Sequence, residues 1–260
     1  MKFMCQREPI EQLELLAQYK RQSIVLEGPR GCGKTYLAKE YAKMINVQDF
    51  QIVEPKVDSI RSSIEECINL NEPIVLCIEN LDKGMQSASY ALLKFLEEPP
   101  ATATILITCQ NLQMIPETIV SRSTVVTLSP PIDSDLEQYA EVKYGDAMRY
   151  MRTTDVWKSV RAFQDVDLVM SFGPDKMEYY QELPKICKFN DSVSNIIWKL
   201  GHYNDNTETP IEFVIRYIMN YLHTPFVERC GIECIRDLNH GRIASHAVLA
   251  KFAFNVKYCE

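Results

Sequence analysis

Short apolar runs alternate with segments in which apolar positions return every three or four residues, and this rhythm persists to about residue 130. Ser23-Ile24-Val25-Leu26 is the first run, and helical spacing follows it: Leu37, Ala38, Tyr41, Ala42 and Ile45 fall on one face of a helix over 36–45. The same reading predicts strands at 50–54, 73–79, 104–108 and 124–128, with helices at 59–69 and 87–97. Continuous apolar strands joined through helices imply a parallel sheet covered on both faces. Pro130-Pro131 ends the alternation. Beyond it, 135–144, 154–172, 175–183, 193–200, 210–222 and 245–258 read as helices. The polar stretch Lys188-Phe189-Asn190-Asp191 divides this half. The expected plan is therefore an α/β domain over 1–131, a small helical unit over 132–188 and a C-terminal helical bundle over 189–260.

Between the first strand and its helix lies Gly28-Pro29-Arg30-Gly31-Cys32-Gly33-Lys34-Thr35, which fits G-x-x-x-x-G-K-[ST] at every fixed position. Strand, glycine loop and helix in this order make a P-loop. The glycines let backbone N–H groups close on a polyphosphate, Lys34 reaches the β- and γ-phosphates, and Thr35 offers its hydroxyl to Mg²⁺. The helix N-terminus adds a favourable field for the anion. Residues 28–36, ending with Tyr36, are thus the expected contacts of a nucleoside triphosphate and its magnesium ion.

Composition narrows the setting. At 260 residues the chain can bury a full core in two or three domains. No apolar run nears the ~18 residues that span a bilayer, and the first residues lack the apolar stretch of a secretion signal, so a cytoplasmic protein without membrane contact is expected. Nine scattered cysteines argue against a disulfide scaffold. Cys230, Cys234, His240 and His246 are too closely spaced for a zinc finger; buried thiols on a helix are the simpler reading. The net charge of −7 excludes a general nucleic-acid coat, because nonspecific affinity comes from neutralising phosphates. Any DNA contact needs a local basic patch, summed over several subunits.

A second chemical position ends the strand at 73–79. In P-loop ATPases a carboxylate at the tip of the adjacent strand holds Mg²⁺ through water, and the next residue polarises the attacking water. Here the pair is Glu79-Asn80. Glu79 can serve the metal, whereas Asn80 cannot accept a proton, so slow turnover is expected. Asp82 could substitute only if the strand end bends to bring it to the γ-phosphate.

The string Glu79-Asn80-Leu81-Asp82, then SYALLKFLEEPP (89–100), then TILITCQNLQMIPETIVSRS (104–123), resembles the AAA+ module of bacterial clamp-loader subunits, the gamma/tau and delta-prime type of DNA polymerase III. The match is strong from Ser23 to Pro131; the helical remainder fits the family's lid and collar in size and type only. The resemblance implies a P-loop AAA+ domain with a parallel sheet, a helical lid and an all-helical collar. It also implies ATP and Mg²⁺ as cofactors. Its implied partners are further clamp-loader subunits, expected as a homo- or hetero-pentamer, with the sliding clamp and primer-template DNA.

The same resemblance implies residue roles. Arg122 in Ser121-Arg122-Ser123 takes the place of the arginine finger that reaches a neighbouring subunit's γ-phosphate. Lys56, Arg61 and Lys94 match basic positions that face duplex DNA. Arg161, in residues 158–162 read as helical, resembles a lid sensor arginine, and Thr108 and Gln110 are candidates for the polar sensor after the fourth strand. The chain departs from the family in lacking the four-cysteine zinc module, in a shortened N-terminal segment, in Ser123 for Cys, and in Asn80. Three functions stay open: a hydrolysing clamp-loader subunit, a structural subunit that binds ATP and donates Arg122, or another AAA+ remodeller or helicase loader.

Overall fold

The computed structural model describes residues 6–70, 72–84, 86–146, 148, 154–172, 210–222, 224–239 and 245–258. They fall into two compact units, Met1–Asp135 and Leu136–Glu260. The lid–collar boundary expected at 188, and the helices expected at 175–183 and 193–200, lie outside the described residues.

In the first unit the order is α1 (Arg7–Gln18), β1 (Ser23–Glu27), α2 (Lys34–Met44), β2 (Asp49–Val53), α3 (Val57–Leu70), β3 (Ile74–Ile78), α4 (Gln86–Glu97), β4 (Ala103–Cys109), α5 (Glu117–Val120) and β5 (Thr124–Thr127). The five strands form one parallel sheet in the order β2-β3-β4-β1-β5. Every strand expected from the sequence is present within a residue or two.

The strands are apolar throughout because successive side chains point to opposite faces and both faces are covered. Ile24, Leu26, Val75, Cys77 and Leu106 join one core with Leu13 of α1 and Leu37, Ala38 and Tyr41 of α2. Val25, Leu76, Ile105 and Ile107 join the other with Ile60 of α3 and Leu92 and Phe95 of α4. Tyr41 is fully buried, and its hydroxyl, which needs a partner there, donates to the carbonyl of Arg21 at 2.9 Å. The sheet is thereby fixed in register, with the C-terminal ends of β1, β3 and β4 side by side.

In the second unit the helices are α6 (Asp133–Tyr144, which begins at the end of the first unit), α7 (Phe163–Met170), α8 (Ile211–Leu222), α9 (Pro225–Asn239) and α10 (Ser245–Tyr258). Asp167 of α7 ties α6 in place by accepting hydrogen bonds from Tyr139, Lys143 and Tyr144. Asp165 accepts from the Arg216 guanidinium of α8 at 2.9 Å, and Asn220 of α8 donates to the Lys158 carbonyl. The single helix expected over 154–172 is instead a 3₁₀ turn (Trp157–Ser159), an extended Ala162 and then α7. The physical reason is that Asp165 accepts the Arg161 backbone N–H at 2.9 Å, a local side-chain bond that competes with helix continuation. Helix α1 and the short α5 were not among the expected elements, and α9 was expected only as a helix carrying Cys230 and Cys234.

Candidate functional site

The P-loop leaves β1 at Gly28, whose N–H donates to the Cys109 carbonyl at 3.1 Å. A Cβ at Gly28 would stand 2.8 Å from the Leu128 carbonyl oxygen and 2.9 Å from Cys32 Sγ, so only glycine lets the chain leave the strand this close to its neighbours. Gly31 and Gly33 take φ of 75° and 97°, the left-handed region where glycine carries no Cβ penalty. Lys34 opens α2 and is buried, with its Nζ donating to the carbonyls of Gly28 (2.7 Å) and Pro29 (2.8 Å). Burial pushes its pKa below the ordinary lysine value, while the nearby thiols of Cys32 and Cys109 and the carboxylate of Asp82 oppose that shift. Cys32 is fully buried and its thiol is pushed upward by burial, with Lys34 pulling the other way.

Thr35 meets the tip of β3. Its Oγ1 donates to Glu79 Oε1 at 2.5 Å, joining the two oxygen ligands that the sequence assigned to magnesium. The residues fit the expected group: a glycine cradle that a Cβ would fill, a buried ammonium at a helix start, and a hydroxyl–carboxylate pair of the hard oxygen type Mg²⁺ prefers. Arg30 and Tyr36 lie in the same loop and first helical turn, Arg30 exposed and Tyr36 half-buried.

Past Glu79 the backbone turns sharply. Asn80 has φ 51° and ψ 50°, and a 3₁₀ turn follows over Leu81–Lys83. Asn80 donates its backbone N–H to Thr108 Oγ1 at 2.9 Å, and Asp82 Oδ2 accepts the backbone N–H groups of Gln110 (3.0 Å) and Asn111 (3.3 Å). Glu27, the last residue of β1, accepts the Leu112 N–H at 3.1 Å. The loops after β1, β3 and β4 are thus stitched together at the C-terminal edge of the sheet, where ligands of open α/β sheets bind. Sequence reasoning placed Lys34, Thr35, Glu79 and Thr108 here. It offered Gln110 beside Thr108 as a sensor candidate and Asp82 on condition of a bend after β3, and the turn at Asn80 brings Asp82 to the backbone of Gln110 and Asn111.

Arg122 stands at the other end. It follows α5 and precedes β5, and Thr124 pairs in register with Ile24, so Arg122 lies at the N-terminal edge of the sheet. One strand of five residues at ~3.3 Å each separates that level from the P-loop, roughly 17 Å. The guanidinium donates to the Thr118 carbonyl (2.8 Å) and to Glu97 (3.0 Å) beside a groove of about 870 Å³ that Tyr19, Lys20 and Arg21 also line.

Lys56, Arg61 and Lys94 are exposed. Arg61 and Lys94 sit on α3 and α4, which pack together, and form no ion pair among the described residues; Lys56 pairs with Glu54 at 2.6 Å. Arg161 belongs to the second unit and is not helical: its guanidinium donates to the carbonyls of Lys158 and Val160. Cys230 and Cys234 are buried on α9, while His240 and the side chain of His246 lie outside the described residues. Among the described residues no cluster of three metal-binding side chains occurs, and no helix is long and apolar enough to cross a membrane.

Residues 56–132 match the family model described as "DNA polymerase III, delta subunit". Over 129 residues, 46% of this chain, the sequence is 28% identical to the sliding-clamp-loader large subunit of Escherichia phage RB69. The fold matches a DNA polymerase III gamma subunit-related protein of Thermotoga maritima over 96% of this chain and 98% of that one, with TM-score 0.59 and 16% identity. The fold is that of the gamma subunit-related protein, and the sequence similarity is to a sliding-clamp-loader subunit and to the polymerase III delta-subunit family. A RuvB variant of Thermotoga maritima shares the fold at TM-score 0.50 and 12% identity, covering 77% of this chain and 83% of its own. The chain spans about 40% of the length of the phage subunit it matches.

Proposed function

We propose that this chain binds Mg·ATP in its P-loop and works as a subunit of a sliding-clamp loader, coupling nucleotide binding and hydrolysis to placing a clamp on primer-template DNA. The observation that carries this is the convergence of Lys34, Thr35 and Glu79 at one sheet edge, in a segment whose flank resembles polymerase III clamp-loader subunits. Lys34 compensates the β- and γ-phosphate charge once it leaves the Gly28 and Pro29 carbonyls; Thr35 and Glu79 hold the metal. Arg122, a strand length away from its own P-loop, acts on the nucleotide of a neighbouring subunit. Thr108 positions the loop after β3 through Asn80, and Arg161 reaches nucleotide only by giving up the Lys158 and Val160 carbonyls. A second reading, an ATP-binding subunit that does not hydrolyse, is favoured by Asn80 at the usual position of a catalytic carboxylate.

The experiment is clamp loading on primed DNA by the chain assembled with its partner subunits. ATP-dependent loading is expected; loading without ATP, or none on addition of this chain, would reject the proposal. In the same assembly, changing Lys56, Arg61 and Lys94 to Ala is expected to weaken DNA binding with little sequence dependence and a shallower salt slope. Every DNA phosphate that is no longer neutralised takes about one unit from the slope of log K against log[salt]. An unchanged slope in the triple variant would reject these residues as the DNA face.

A further inference from the structure

Asn80 leaves the attacking water without a proton acceptor at the usual place, yet a carboxylate stands close by. The sequence alone required the end of β3 to bend for Asp82 to matter, and the structure contains that bend. Asn80 adopts the left-handed conformation, which Asn tolerates better than most residues, and the 3₁₀ turn after it carries Asp82 to the end of β4. There one carboxylate oxygen, Oδ2, holds two backbone N–H groups. The other, Oδ1, is buried and has no hydrogen-bond donor among the described residues. An unpartnered buried acceptor costs ~1–3 kcal/mol and calls for an explanation, of which a catalytic role is one. The carboxylate is also near enough to Lys34 to favour that lysine's charged form.

We propose that Asp82 replaces the carboxylate missing at Asn80: its free oxygen orients the attacking water and takes the proton. The inference rests on the P-loop binding Mg·ATP. In the step, the water oxygen forms a bond to the γ-phosphorus and the bond from that phosphorus to the β,γ-bridging oxygen breaks, leaving its electron pair on ADP. The water proton passes to Asp82 and then to the departing phosphate, so Asp82 returns to its ionised state. Asn80 has a backbone task instead. It makes the left-handed turn and donates its N–H to Thr108, which fixes the loop from which Asp82 projects.

The test compares Mg·ATP affinity and single-turnover hydrolysis for the full chain in its assembly and for two variants. Asp82→Asn keeps an oxygen for the Gln110 and Asn111 N–H groups but cannot take a proton. It is expected to bind Mg·ATP within about threefold of the parent and to hydrolyse it at least ~10²-fold more slowly. Asp82→Glu, which keeps a carboxylate, should hydrolyse faster than the amide variant. Asp82→Asn turnover close to the parent's would overturn the proposal, as would an Asp82→Glu variant no faster than the amide. A parent that binds Mg·ATP but never hydrolyses it in the assembly overturns it too. Failure of the parent to bind Mg·ATP at all would instead reject the P-loop reading beneath it.

Discussion

Arg122→Ala is expected to leave Mg·ATP affinity of the chain unchanged while lowering ATP turnover of the assembled complex by about 10³-fold or more, the usual worth of an arginine finger. The geometry separates the two effects. Arg122 lies at the N-terminal edge of the sheet and the P-loop at the C-terminal edge, so the guanidinium cannot reach its own nucleotide without dismantling β1 and β5. Its hydrogen bonds go to Thr118 and to the exposed Glu97, a surface pair worth ~0–1 kcal/mol that a γ-phosphate can displace. Mixing Arg122→Ala chains with Lys34→Ala chains should then restore part of the activity, because some interfaces pair an intact P-loop with an intact finger. No recovery at any ratio, in an assembly shown to exchange subunits, would reject action on a neighbour.

The contrast between Arg122 and Asp82 shows what the sequence makes legible. The five strands could be read because each is an apolar run buried on two faces, with side chains such as Ile24 and Val25 serving opposite cores. The P-loop and Glu79 could be read because their spacing is local and tied to strand ends. Asp82 could not, since its place depends on one backbone conformation at Asn80, and nothing in residue type alone dictates that φ. The extent of helix α9, expected only around Cys230 and Cys234, was obscured by Gly231 in its interior, a residue that ordinarily weakens a helix. Here it serves packing: a Cβ at Gly231 would come within 2.0 Å of Met219 Sδ, so glycine lets α8 and α9 approach. At 154–172 the helical period was present, but Asp165 bonds the Arg161 N–H locally and the charged Arg216 side chain from α8, and the local bond and the tertiary ion pair together override the pattern.

Lys34→Ala is expected to remove nucleotide-dependent stabilisation altogether. Ligand at a hundredfold excess over Kd stabilises a protein by about 2.7 kcal/mol, which for a chain of this size is a Tm rise of roughly 5–10 °C. The parent should show that rise with Mg·ATP, and the variant none. The unliganded proteins should differ far less. Burying the Lys34 ammonium has a cost, and its bonds to the Gly28 and Pro29 carbonyls offset it, so truncation removes a penalty and a benefit together. The pH dependence supplies an independent check on the same residue. Because burial lowers the folded-state pKa of Lys34 below 10.5, the unfolded chain holds this proton to higher pH than the folded one. The Lys34 contribution to stability therefore increases as pH climbs from the folded pKa towards 10.5, and Lys34→Ala should lose that increment. A variant that keeps the full Mg·ATP shift would show that the phosphates bind without this lysine, and the assignment of the loop to nucleotide would fall with it.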